Sequence, residues 1–371
     1  MSFEGSAKKP SFLSQTAGVL QSIRAGTMMA MLLAFMAVCV SHPSLAETVT
    51  VSTLAGNDKL GFADGQGSAA QFDLPSGITI DTVGNLYVAD MVKHRIRKVT
   101  PKGEVTTLAG GQWGFADGQG SAAKFSDPHG ITIDAMGNLY VADRGNHRIR
   151  KVTPKGEVST LAGSDKGGFA DGQGSTAQFY VPSGIAIDAA GNLYVADSGN
   201  RRIRKITPSG EVTTLAGSEK GFADGKGTAQ FDRHGIAIDA AGNLYMTDRD
   251  RNLIRKVSPK GEVSTFAGGG KEGFAGFADG QGGAAQFYSP DSIALDAAGN
   301  LYVTDKINYR IRKITPKGEV STLAGNGKRG FADGDERIAQ FSAASGIAID
   351  ATGNLYVADF SRIRKIVIQR P

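Results

Sequence analysis

The sequence predicts an all-β fold, a six-bladed β-propeller of four-stranded antiparallel blades closed by the N-terminal strand completing the last blade. Three observations carry this. The phrase Gly-Asn-Leu-Tyr recurs at Gly84, Gly137, Gly191, Gly242, Gly299 and Gly353, at intervals of 53, 54, 51, 57 and 54 residues. Each interval holds four short strand-like pieces, and the two chain ends carry complementary fragments of one further unit. Repeats of four short strands with a period slightly above 50 residues are the signature of a propeller blade.

In the first unit the pieces are "GITID" (77–81), "NLYVAD" (85–90), "RIRKV" (95–99) and "EVTTLAG" (104–110). They are rich in β-branched and aromatic residues. Gly-Asn and Pro-Lys-Gly turns separate them, with connections short enough for antiparallel hairpins. The chain finishes at "RIRKIVIQRP", a third strand without a fourth, while "ETVTVSTLAG" (47–56) matches the fourth-strand phrase "GEVSTLAG". The N-terminal segment is therefore expected to supply the outer strand of blade six, leaving no half-made edge.

Residues 1–46 read differently from the rest and are expected to form an export leader. Lys8, Lys9 and Arg24 precede an apolar run from Ala25 to Val40, and Ser44 and Ala46 are placed for cleavage before Glu47. The apolar run is short for a membrane span. The alternative is an uncleaved anchor. The expected mature chain, 47–371, is a periplasmic or secreted propeller without a membrane span, and a monomer. Cys39 is the only cysteine, so a mature chain from 47 on has no disulfide, thiolate metal site or cysteine nucleophile. Removing Lys8, Lys9, Arg24 and Glu4 from 41 basic and 36 acidic residues leaves +3, too weak and dispersed to imply nucleic acid.

Between blades lies "GFADGQGSAAQF" (61–72), and Gly-Phe-Ala-Asp-Gly opens each of its six copies. One Asp per copy falls short of a calcium loop, and the absent lysine argues against a phosphate loop. The structural reading is preferred. Phe62 and its equivalents bury a ring between blades, Asp64-Gly65 turns the chain, and Phe72 anchors the return to the inner strand. In an up-and-down meander all six connectors are expected to ring the top face, with the loops joining strands two and three.

The aspartates that end strand two (Asp90, Asp143, Asp197, Asp248, Asp305, Asp359) are expected to pair with the arginines opening strand three (Arg95, Arg148, Arg202, Arg310, Arg362) as structural staples. In blade four Leu253 replaces that arginine, and Arg249 or Arg251 is expected to serve. The rest of the "IRK" stripe is read as a solvated strand face.

The pattern at 182–205, "PSGIAIDAAGNLYVADSGNRRIRK", resembles the NHL repeat, and the resemblance extends over essentially 47–371. It implies the propeller fold and leaves function open. Proteins with this repeat include RNA- and protein-binding modules, a zinc-dependent peptide-amidating lyase and many exported bacterial proteins without assigned activity.

Function is sought where the copies differ. The residue before the first-strand glycine is Ser76, His129, Ser183, His234, Asp291 and Ser345 in blades one to six, and Ser292 replaces the glycine itself in blade five. These side chains are expected to crowd the channel mouth. His129, His234 and Asp291 are candidate ligands for a divalent metal, Zn or Ca. The resemblance implies a related chemistry, because the amidating lyase is understood to hold zinc with histidines around its channel. Arg233, where other blades carry proline or another neutral residue, would instead favour an anion, with Ser76, Ser183 and Ser345 as further ligand-binding candidates. No acidic cluster of lactonase type and no Ser-His-Asp arrangement is evident. The leading expectation is a binding or interaction scaffold for a protein, peptide, small-molecule or carbohydrate ligand. The alternative is a metal-dependent lyase or lactone hydrolase.

Overall fold

A computed structural model describes residues 47–218, 235–269 and 274–369, together with the backbone of 225–226. Thr48–Gln369 folds as one unit of six antiparallel sheets. In blade one the inner strand Pro75–Ile80 is followed outward by Leu86–Asp90, Arg95–Val99 and Glu104–Gly110. Among the described residues no helix is long and apolar enough to cross a membrane.

The ring closes as expected. Thr48–Gly56 pairs along Arg362–Gln369 and becomes the fourth strand of blade six. Val49, Val51 and Ala55 on this strand are buried. The core lies between blades and not within one layer. Phe125, for example, joins Tyr87, Ala89 and Ile96 of blade one to Ile131, Leu139 and Val141 of blade two. Both faces of each middle strand are thus covered, which explains why "LYVAD" is apolar up to its closing aspartate and buried at every position in blade one.

Three expectations need correction. First, each blade has a fifth, two-residue strand. Gly65–Gln66 pairs with Val105 and Glu104, and Gly67 N–H donates to Gly103 O at 2.9 Å, beside the bottom turn. The connectors therefore descend the outer rim and do not ring the top. Second, Phe62 is 40% exposed. Its ring instead covers the Arg95 guanidinium at 3.4 Å. The inter-blade ring is instead Phe72, the residue expected only to anchor the return to the inner strand, and it is fully buried.

Third, the partner of the strand-two aspartate is the second arginine of "RIRK". Arg97 Nη1 lies 2.9 Å from Asp90 Oδ2 and Nη2 lies 2.8 Å from Asp64 Oδ1. Nη1 also donates to Gln71 O and Nη2 to Ala63 O. Arg95 stands opposite Asp90 in register, but Arg97 projects from the same face two residues deeper, between two carboxylates. Arg97, Arg150, Arg204, Arg312 and Arg364 are all completely buried, and Arg255 nearly so. The stripe is therefore no solvated face. In blade four Arg251 contacts Asp248 at 3.1 Å, as expected of one of the two candidates.

At the centre the six inner strands converge. A Cβ added at Gly77 would strike the carbonyl of His129, one at Gly130 that of Ser183, and one at Gly346 that of Ser76. Side-chain-free backbone is what lets neighbouring blades approach this closely. The result is a narrow neck of about 80 Å³, walled by these glycines and by Ile78, Ile131, Ile185, Ile236, Ile293 and Ile347.

Candidate functional site

Above the neck a cup of about 340 Å³ opens on the top face. Much of its wall comes from two repeat positions, the residue preceding the inner-strand glycine and the residue following the strand-two aspartate. The first set contributes Ser76, His129, Asp291 and Ser345, and the second contributes Met91, Arg144, Arg249, Lys306 and Phe360. Leu74, Pro75, Ala343 and Arg329 complete the wall.

Asp291 is the electrostatic pivot. Its Oδ2 accepts a hydrogen bond from Lys306 Nζ at 2.6 Å, and Arg249 Nη1 stands 3.9 Å from Oδ1. Lys306 also donates to Ser345 Oγ at 3.1 Å. Burial by itself would raise the Asp291 carboxyl, but Lys306, Arg249 and His129 outweigh it and hold the group below the usual carboxylate range. Backbone stitching fixes the pivot in place. Thr247 Oγ1 donates to Asp291 O at 2.9 Å, and Thr304 Oγ1 donates to Ser345 O at 2.8 Å, each reaching from one blade to the next. Both threonines replace the alanine of "VAD", so blades four and five are adapted to carry this corner.

The expected site residues divide. His129, Asp291 and Ser345 share the cup, and Ser76 lines it. Ser76 is buried, with its hydroxyl donating to His129 O at 3.0 Å across the blade boundary. Ser183 does not reach the cup: it is 1% exposed and bonded to Ser198 Oγ at 2.6 Å. Arg233 and His234 lie outside the described residues. Among those residues no three His, Cys, Asp or Glu side chains come together.

Sequence reasoning missed Arg144, Arg249, Lys306 and Arg329, which give the cup four cationic side chains against one carboxylate. The signal was available. The position after the strand-two aspartate reads Met91, Arg144, Ser198, Arg249, Lys306 and Phe360, as variable as the serine–histidine column already singled out. Chemically the cup suits an anion: guanidinium and ammonium donors in a partly enclosed space gain strength from the reduced screening. A Ser–Lys nucleophile is disfavoured, because activating Ser345 requires a neutral amine, whereas Asp291 pairs with the Lys306 ammonium.

Comparison with known proteins agrees with this architecture. The NHL repeat model matches residues 125–152 and 179–206, and the Teneurin NHL domain model matches 226–315. This chain is an NHL-repeat protein. The NHL repeat-containing protein 2 of Bos taurus is 31% identical over 77% of the chain and 45% of its own length. The chloroplastic protein SUPPRESSOR OF QUENCHING 1 of Arabidopsis thaliana is 30% identical over 77% of the chain and 29% of its own. The chain thus spans less than half the length of these relatives. Among solved structures, an auxiliary nutrient binding protein from Bacteroides thetaiotaomicron superposes with a TM-score of 0.68 at 20% identity, over 87% of this chain and 77% of its own. A virginiamycin B lyase from Staphylococcus aureus gives 0.54 at 15%, over 86% and 100%. At those identities the likeness is one of fold.

Proposed function

We propose that this NHL propeller is an exported binding module whose top-face cup holds an acidic ligand, a small molecule or the acidic group of a peptide or carbohydrate. The observation that carries the reading is the excess of cations around the cup: Arg144, Arg249, Lys306 and Arg329 face a single carboxylate, Asp291. Clefts lined by one sign of charge concentrate and hold the opposite sign. A cavity of about 340 Å³ falls within the range of small-molecule pockets. The nutrient-binding neighbour fits this reading.

The enzymatic alternative, a lyase or lactone hydrolase with a divalent metal on His129, His234 and Asp291, has one point of support, since His129 and Asp291 share the cup. The 2.6 Å contact with Lys306 Nζ weighs against it, because a metal would have to displace an ammonium already neutralising Asp291. Titrating the purified protein with phosphate, citrate and acetate tests the proposal. Saturable binding that weakens at least tenfold in Arg249→Ser supports it. Absence of binding to all three anions, or stoichiometric zinc or calcium lost in His129→Ala, overturns it.

A further inference from the structure

The cup has two unlike walls. Its cations come from blades two, four and five, through Arg144, Arg249 and Lys306. The facing sector, where blade six meets blade one, is mainly apolar, with Leu74, Pro75, Met91, Ala343 and Phe360 above Ser76 and Ser345. Arg329 stands at the border, its Nε donating to Ser342 Oγ at 3.2 Å and its guanidinium 5.9 Å from the Phe360 ring centroid.

A local deletion builds the apolar wall. In blade one, four residues, Met91 to His94, separate the strand-two aspartate from the strand-three arginine. In blade six only Phe360 and Ser361 do so. The loop is shortened by two residues, and the rim is notched there. Phe360 takes a left-handed backbone conformation (φ 59°), and its carbonyl accepts the Leu74 N–H at 3.0 Å. Leu74 is left-handed too (φ 53°). Left-handed residues recur at the matching loop positions of other blades, among them Asp127, Val181, His94 and His147, and here the hydrogen bond ties the two loops together.

Resting on the anion reading above, we infer that the ligand is amphipathic: a carboxylate or phosphate head directed at Arg249, Arg144 and Lys306, with an apolar body lying on Leu74, Met91 and Phe360 in the notch of blade six. A purely polar anion would leave that wall wet, and a neutral apolar molecule would leave the cations unmatched. Transferring apolar surface from water to the wall adds affinity that a bare anion lacks.

The test is calorimetric titration of the purified protein with sodium acetate, sodium octanoate and 1-octanol. Octanoate is expected to bind at least tenfold more tightly than acetate and octanol. Phe360→Ser and Met91→Ser should each abolish that advantage, bringing octanoate binding down to the level of acetate. Arg249→Ser should weaken acetate and octanoate together. Acetate and octanoate binding within twofold of each other overturns the amphipathic inference and leaves the anion reading standing. An octanoate advantage that survives both apolar-wall substitutions also overturns it. Binding of neither anion brings down both.

Discussion

Arg204→Ala is the substitution that most sharply separates the observed staple from a surface ion pair. Arg204 is completely buried and makes four bonds: Asp197 Oδ2 at 2.8 Å, Asp171 Oδ1 at 2.7 Å, Gln178 O at 2.9 Å and Ala170 O at 2.7 Å. Truncation leaves Asp197 fully buried, with Asn200 Nδ2 and the Tyr180 N–H as its remaining donors. Burial already pushes the Asp197 carboxyl above the usual carboxylate range despite Arg204. Removing one partner of a buried pair costs about 3–5 kcal/mol. On the scaling for domains of 150–250 residues, that is a Tm loss of roughly 6–20 °C. Arg202, two residues away on the same strand, lies over the half-exposed Phe169 ring at 3.9 Å, and its truncation should cost only about 0.5–1 kcal/mol. Urea unfolding of the two variants side by side gives the comparison. Equal losses, or a larger loss for Arg202→Ala, would refute the buried-staple assignment.

Deleting residues 47–56 should remove a strand paired on both sides and lower stability beyond the roughly 4–5 kcal/mol that marks an exceptional point change, read as a shift of the unfolding midpoint. Gly346→Ala should cost about 1–3 kcal/mol, because its Cβ meets the Ser76 carbonyl of the next blade, whereas Ser292→Gly at the equivalent position of blade five should be nearly neutral. Asp291→Asn should tighten anion binding severalfold, since it removes the cup's one carboxylate. The same variant should be less stable than wild type near neutral pH by about 1–3 kcal/mol. The folded-state carboxyl is depressed, so its contribution is fully present above the unfolded value of about 3.9 and is lost as pH falls through the folded value. A midpoint difference independent of pH would contradict this.

The fold was legible because its cause is repetition. Six copies of "GNLY" and two matching chain ends determine blade number and closure without any knowledge of packing. The staple was legible in part. Arg97 and its equivalents are invariant across the six copies while Arg95 gives way to Leu253, and that uniformity marks the second arginine as the structural one. Choosing it required the depth of each side chain between blades, which alternation along one strand does not supply. The site was half legible. The column from Ser76 to Ser345 points at the mouth, but pairing Asp291 with Lys306 joins residues 15 apart, one on the inner strand and one in the loop after strand two. The blade-six notch is visible as a two-residue deletion, and its meaning depends on Leu74, which follows Phe360 only after the ring closes.

The central claim is that the top-face cup is an anion site. Anomalous diffraction from crystals soaked in sodium bromide tests it most directly. The account predicts a bromide peak among Arg144, Arg249 and Lys306. Bromide bound elsewhere on the molecule with this cup empty, or a divalent metal seated on His129 and Asp291, would contradict it.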